Sequence, residues 1–332
     1  MTFFKKNKII IIAEIGVNHE GNFNSAKKMI ELAAVIGVDY VKFQSYTPNI
    51  FVALNDSARL NRVTKFALAK EEFNELSVFA KTFNIGFLST PITEDWVDIL
   101  NPICPAFKIA SGDITFKPVI QKAAQTGKPL IISTGAATLD EIDQAVGWVE
   151  KEVGSKNLPD HLILMHCVSA YPAPIDQANI LSIPFLKERY KLSVGYSNHV
   201  VGMNACLAAV ALGADVIEVH FTDCKEGREF RDHALSFDQN DLKFFIQASH
   251  KIKQSLGIYT KEVQACERDG IPLLRKGIIA ARDLKIGTVI TEEDLMFARP
   301  ATEFSSNEIH MLLGQKIKID ILKGYLIPRN AI

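Results

Sequence analysis

A charge imbalance is absent from this sequence. Lys and Arg total 37 against 38 Asp and Glu, a formal net charge of −1, so no bulk field draws the chain to nucleic acid or to an anionic membrane surface. Any bound anion must be held by local lysines or arginines. Cysteine is sparse: Cys104, Cys167, Cys206, Cys224 and Cys266 form no CxxC pair and no regular framework, the usage of reduced thiols in the cytoplasm. No apolar run is long enough to span a membrane. The start superficially mimics a signal peptide, with Lys5, Lys6 and Lys8 ahead of an apolar run, but Glu14 ends that run too soon for an h-region. No GxGxxG follows the first strand-like run, which disfavours a doubly wound dinucleotide-binding sheet. Low-complexity segments are missing as well, and no repeat is visible beyond a βα unit.

What is present is ordinary globular material, 48% hydrophobic and 23% charged, in a chain longer than one core usually serves. Apolar strand-like runs fall at 8–16, 39–45, 86–90, 106–111, 129–134, 162–167, 192–199 and 216–221. Helical patterns follow them at 24–37, 71–83, 93–100, 117–126, 138–153, 179–190, 202–213 and 239–256. Thr138 and Glu141 fit a capping box, and 47–69 is read as a long polar excursion. Eight strands alternating with eight helices predict an α/β fold, a (β/α)8 TIM barrel over 1–258. A linker is expected at 259–274 and a small β-rich domain at 275–332, with β-like runs at 277–281, 288–290 and 316–319 punctuated by Gly287, Gly314 and Gly324.

A barrel enzyme does its chemistry at the carboxyl ends of its strands, and those ends are polar here. In strand order they offer Glu14, then Lys42 and Gln44, Ser89 and Thr90, Lys108 with Ser111 and Asp113, Ser133 and Thr134, His166 and Ser169, Ser197 with Asn198 and His199, and finally Glu218 and His220. His199 and His220 end two successive strands of one βαβ unit. Side by side they are plausible ligands for a divalent metal, with Asp232 following; each could equally be a satisfied core histidine. Lys42 and Lys108 have no structural use in an apolar barrel unless paired, because an unpaired buried ammonium is costly. They face a bound anion or a carboxylate. With Ser111, Ser133 and Ser197 as donors they suit a phosphate-plus-carboxylate ligand. Pairing with Glu14 or Glu218 is the structural alternative, and a Schiff-base lysine is a third reading.

The segments Glu14-Ile15-Gly16-Val17-Asn18-His19-Glu20-Gly21, Phe107-Lys108-Ile109-Ala110-Ser111-Gly112, Gly195-Tyr196-Ser197-Asn198-His199 and Glu218-Val219-His220-Phe221 together resemble the sialic acid synthase family. The tail, with Ala281-Arg282-Asp283-Leu284-Lys285-Ile286-Gly287 and Phe297-Ala298-Arg299-Pro300, resembles its antifreeze-like SAF (β-clip) domain. The resemblance implies a metal-dependent condensation of phosphoenolpyruvate with N-acetylmannosamine or a related N-acyl sugar aldehyde, releasing phosphate. By it, His199 and His220 hold Mn2+ or Mg2+. Lys42, Thr90, Lys108, Ser111, Ser133 and Ser197 hold the phosphoenolpyruvate, with Gln44, Asp113, Ser169 and Tyr171 as further substrate contacts. Glu14 is the candidate for proton transfer and Asp232 for the sugar. Arg299 is expected to reach the N-acyl group from the partner subunit of a domain-swapped homodimer. Four departures from the family pattern stand out: Asp113 for Glu, Ser169 for Asn, Asn198 for Asp, and a 224–231 segment without Gly-Pro. They leave open an acceptor of the diacetamido-trideoxyhexose type, leading to legionaminic or pseudaminic acid. A Schiff-base aldolase using Lys42 or Lys108 is the other enzymatic alternative.

Overall fold

The computed structural model describes residues 8–332; Lys5 and Lys6 lie outside them. Two compact units are present, one ending at Gly257 and one from Ile258 to Ile332. The first is a parallel barrel of eight strands: β1 (Ile10–Gly16), β2 (Tyr40–Ser45), β3 (Gly86–Pro91), β4 (Phe107–Ile109), β5 (Leu130–Ser133), β6 (Leu162–His166), β7 (Ser193–Asn198) and β8 (Val216–His220). Hydrogen-bonded neighbours run β3-β2-β1-β8-β7-β6-β5-β4, and β3 lies against β4 to close the ring. The eight-stranded α/β barrel read from the alternation is therefore the observed fold.

The period of two along each strand sorts side chains between two cores. On β1, Ile11, Ala13 and Ile15 face outward and pack with Met29, Ile30 and Ala33 of the following helix. Ile10 and Ile12 face inward and join Leu88, Ala106, Ile131, Ile163, Met165 and Val216 in a separate cluster. These residues fill the barrel toward the amino ends of its strands. The next inward positions are Glu14, Lys42, Thr90, Lys108, Ser133, Ser197 and Glu218, all buried. The interior thus changes from aliphatic to charged along its axis. Register aligns the charged layer: Glu14 sits beside Lys42 on β2 and beside His220 on β8, and Ser197 sits beside Glu218. Gly195 is inward-facing on β7, where a Cβ would meet Met165 Sδ at 2.3 Å and Val216 O at 2.5 Å. Glycine there lets Met165 fill the axis beneath the polar layer.

Helix ends follow local chemistry. Asn22 caps the helix Phe23–Ile36 by accepting from the Ser25 N–H, and Gly37 ends it in the left-handed region at φ 89°. The expected capping box forms at the helix Leu139–Val153, where Thr138 and Glu141 each accept from the other's backbone N–H. The polar excursion at 47–69 is more ordered than expected. It contains the helices Pro48–Phe51 and Ser57–Phe66, the second capped by Asp56. Its polarity hid it, because only Val63 and Phe66 of the second helix are buried.

In the second unit, β9 (Gly277–Ala280) pairs antiparallel with β10 (Leu295–Ala298) over a core including Ile278, Leu284, Phe304, Leu312 and Ile327. Of the three β-like runs read from the sequence, only the first becomes a strand. The other two meet through a single bridge, Val289 with Lys316, beside left-handed turns at Gly287 and Gly314. The segment read as a linker holds a 3-10 turn at Ala265–Gly270 and a helical turn at Ile271–Leu274. Among the described residues no helix is long and apolar enough to cross a membrane.

Candidate active site

At the carboxyl ends of the strands, four buried charges share one space. Lys42 Nζ lies 2.6 Å from Glu14 Oε2 and 3.7 Å from Glu218 Oε2, and Lys108 Nζ lies 3.8 Å from Glu218 Oε1. Both lysines are 3% exposed. The structural alternative for the lysines is what this chain adopts: in the protein by itself, each ammonium answers a carboxylate. Hydroxyls complete the set. Lys42 donates to Thr90 Oγ1 at 3.2 Å, Lys108 donates to Ser133 Oγ at 2.6 Å, and Ser197 donates to Glu218 Oε1 at 2.9 Å. Gln44 approaches Glu14 Oε1 at 3.4 Å.

Environment sets the protonation states. Burial would pull the Lys42 ammonium down, but the charges of Glu14 and Glu218 outweigh it, and the group stays above its ordinary range. For Lys108 burial wins over the attraction of Glu218, so its proton is held less tightly than in water. Burial pushes the Glu218 carboxyl up, yet Lys108 and Lys42 more than offset this, and it stays ionised. Glu218 is the central residue of this cluster. From the sequence Glu218 is only a pairing candidate for the lysines, although its spacing of two from His220 signals that both face inward.

Beside Lys108, Ser111 Oγ lies 3.1 Å from Cys167 Sγ and accepts from the Gly135 N–H at 3.1 Å. A Cβ on Gly135 would fall 2.3 Å from Ser169 Oγ and 2.8 Å from both Cys167 Sγ and Ser111 Oγ. Gly135→Ala is therefore expected to push Ser111 and Ser169 aside. If these groups hold phosphoenolpyruvate, as the family resemblance implies, its KM rises by about 10- to 100-fold, while stability falls by only about 1–3 kcal/mol. An unchanged KM for phosphoenolpyruvate would remove Ser111 and Ser169 from the donor contacts.

Asp113 closes the short turn Ser111–Asp113 and is half-buried. Burial raises its carboxyl to about 6, with Lys108 pulling the other way. Between the unfolded value near 4 and about 6, the folded chain keeps a proton that the unfolded chain has lost, so this group's contribution to stability declines as pH rises through that window. Asp113→Asn removes the cost of ionising it. The variant is expected to gain about 2 kcal/mol at pH 8 and nothing below pH 4. Denaturant melts at both pH values check this, and an equal gain at both would show that the carboxylate's charge is not the cause.

The third group is aromatic. His199 Nδ1 donates to the Val168 carbonyl at 2.6 Å, and its ring lies 4.1 Å from that of Tyr171 and 5.5 Å from that of His220. Asn198 builds the turn carrying His199, since its side chain donates to the Val200 carbonyl and accepts from Tyr196 Oη and the Val200 N–H. Burial and the neighbouring His220 push His199 down to about 3, so the ring is neutral, with its proton on Nδ1 and a lone pair on Nε2. That is the form in which imidazole binds a metal. His220 Nδ1 is buried without a hydrogen bond, 3.9 Å from Asp232 Oδ2. The neutral His199 ring, the buried His220 Nδ1 without a hydrogen bond and the nearby Asp232 carboxylate fit a divalent cation. Among the described residues, however, no group of three or more His, Cys, Asp or Glu side chains is placed to hold one alone. By themselves the two imidazoles supply only part of a coordination shell.

A cavity of about 780 Å³ opens from this group, with Gln44, Tyr171 and Asp232 on its inner wall. The structure thus brings together Glu14, Lys42, Gln44, Thr90, Lys108, Ser133 and Ser197, places Ser111, Asp113 and Ser169 beside them, and sets Tyr171, His199, His220 and Asp232 around the imidazoles. Arg299 is exposed in the second unit.

Comparison with known proteins gives one consistent answer. Residues 29–261 match the NeuB family and residues 275–331 the SAF domain. The chain is 39% identical to an N,N'-diacetyllegionaminic acid synthase of Campylobacter jejuni over 93% of this chain and 95% of that one. It is 30% identical to a pseudaminic acid synthase of Helicobacter pylori over 92% of each. Among solved structures, the N-acetylneuraminic acid synthetase of Leptospira borgpetersenii superposes with a TM-score of 0.76 at 33% identity, covering 81% of this chain and 92% of that one. By these matches the chain belongs to the NeuB family and carries a C-terminal SAF domain.

Proposed function

We propose that this chain condenses phosphoenolpyruvate with a diacetamido-trideoxyhexose, giving a legionaminic-type nine-carbon 2-keto-3-deoxy acid and phosphate. The protein is a phosphoenolpyruvate-dependent, carbon–carbon bond-forming transferase. The observation that carries the chemistry is the buried cluster of Lys42 and Lys108 with Glu14 and Glu218, in the same barrel mouth as the paired imidazoles of His199 and His220. For the acceptor, the higher identity to the diacetyllegionaminic acid synthase favours that sugar over N-acetylmannosamine and over the pseudaminic precursor.

C3 of phosphoenolpyruvate adds to the aldehyde carbon of the open-chain sugar. Water captures the cationic C2, and the tetrahedral adduct collapses to the ketone as phosphate leaves. Lys42 and Lys108 neutralise the carboxylate and phosphate of the donor, with Thr90, Ser111, Ser133 and Ser197 as hydroxyl donors. Glu14, in contact with Lys42 and Gln44, holds the water's proton. Asp232 and Tyr171, on the cavity wall, bind the sugar. His199 and His220 would hold Mn2+ or Mg2+, which when bound supplies Lewis acidity toward the aldehyde oxygen. The charge pairing that keeps Lys42 protonated opposes its use as a Schiff-base amine.

The test is phosphate release from phosphoenolpyruvate with Mn2+ across a panel of N-acetylmannosamine and diacetamido-trideoxy sugars. Release with the legionaminic precursor alone is expected. Preference for N-acetylmannosamine would overturn the acceptor assignment, and covalent trapping by borohydride with pyruvate would overturn the reaction. In a homodimer, Arg299 of one copy would meet the N-acyl group held by the other. Arg299→Ala is then expected to raise the sugar's KM by at least tenfold and leave the KM for phosphoenolpyruvate within about twofold, a split that kinetics with each substrate varied will show. Equal loss for both substrates counts against this role.

A further inference from the structure

The cavity has an outer wall that the reaction above leaves without a task. It is the helix Ser57–Phe66, which presents Arg59, Arg62 and Lys65, three residues apart in turn, to the cavity. All three are exposed, and none makes an ion pair among the described residues; Arg59 rests over the Phe51 ring at 5.2 Å. Two of the three carboxylates of the same cavity already have partners, Arg231 among them being a further cation of the cavity. Glu20 meets Arg228 at 3.3 Å and His233 at 3.1 Å, and Asp232 meets Arg231 at 3.3 Å, which leaves Glu229. A surplus of positive charge therefore lines one wall of this cavity, which reaches Gln44 beside Glu14, in a chain whose net charge is −1.

We infer that this row captures the phosphoryl group of phosphoenolpyruvate and steers the donor inward. The inference rests on the reaction proposed above, in which the acceptor is uncharged and the donor is the only multivalent anion to enter. A concave wall of one sign concentrates oppositely charged ligands and raises their association rate by tenfold or more. It acts over the Debye length, about 30 Å in 0.01 M salt and about 8 Å in 0.15 M. Val63 and Phe66 of the same helix are buried and also line the cavity, so glutamine at the three exposed positions removes the charges while keeping these two apolar side chains in place.

The experiment compares the whole protein with an R59Q/R62Q/K65Q variant. The association rate of phosphoenolpyruvate is measured from 31P line shapes, without turnover, between 10 mM and 0.5 M salt, and kcat separately at saturation. The expected result is an association rate about tenfold lower than wild type at 10 mM salt, converging with it at 0.5 M, and an unchanged kcat. Equal rates and equal salt slopes in the two proteins would overturn the inference. So would a variant with normal donor association that selectively loses turnover of a hexose 6-phosphate, because the row would then be a subsite for a phosphorylated acceptor. Salt-dependent donor capture by wild type, lost in the variant and without turnover of any sugar, would refute the proposed acceptor while supporting the steering role.

Discussion

Replacing Lys42 by Met is expected to cost about 3–5 kcal/mol of stability and roughly a thousandfold in kcat/KM. The reason is arithmetic of charge in a closed space. Lys42 lies between Glu14 and Glu218, and with its ammonium gone only Lys108 faces two carboxylates. Breaking a buried pair leaves an uncompensated ion, which costs far more than the pair contributed. Stability and activity can be separated by a second change. In Lys42→Met/Glu14→Gln the excess negative charge is removed, so most of the lost stability should return, whereas activity should not, because the donor has lost one of its two fixed cations and the water its proton acceptor. A double-mutant cycle on denaturant melts reads the first effect and steady-state kinetics the second. A double variant that regains activity with its stability would show that Lys42 and Glu14 serve the fold alone.

The second large effect is expected at the imidazoles. His199→Ala should lower activity by more than about 100-fold, the upper range for losing only a hydrogen-bonding partner behind a metal ligand. It should also weaken Mn2+ binding measured directly by titration calorimetry. A chelator should abolish turnover by the wild-type protein, with Mn2+ restoring it. The basis is geometric: the Val168 carbonyl fixes the proton on Nδ1, Tyr171 backs the ring, and His220 stands 5.5 Å away. A wild-type Mn2+ isotherm for a folded His199→Ala protein would show that the ring is a packed core histidine and that the cation, if any, binds elsewhere.

Reading the chain in order reveals much of this. The short apolar runs at the strands and the caps at the helix ends are local features, and the barrel followed from them. The inward positions were legible too, since Lys42 and Gln44, and Glu218 and His220, repeat at the strand period of two. Helix Ser57–Phe66 escaped because it buries only two side chains, too few for an apolar stripe. The strand Leu295–Ala298 escaped for a related reason: it alternates weakly, with Met296 and Phe297 both exposed.

What the sequence determined by itself was therefore the list of polar groups at the strand ends and the side of the sheet each one faces. Which of them meet was decided only by closing the barrel. Glu14 comes to share a lysine with Glu218, far along the chain, because β1 and β8 are neighbours in the ring with Glu14 level with His220. Ser111, Gly135 and Cys167 converge because three successive strands end there at one height. Side-chain direction is a property of one residue and its period. A Coulomb interaction depends on a distance between residues remote in the chain, and that distance exists only once strand order and register are set.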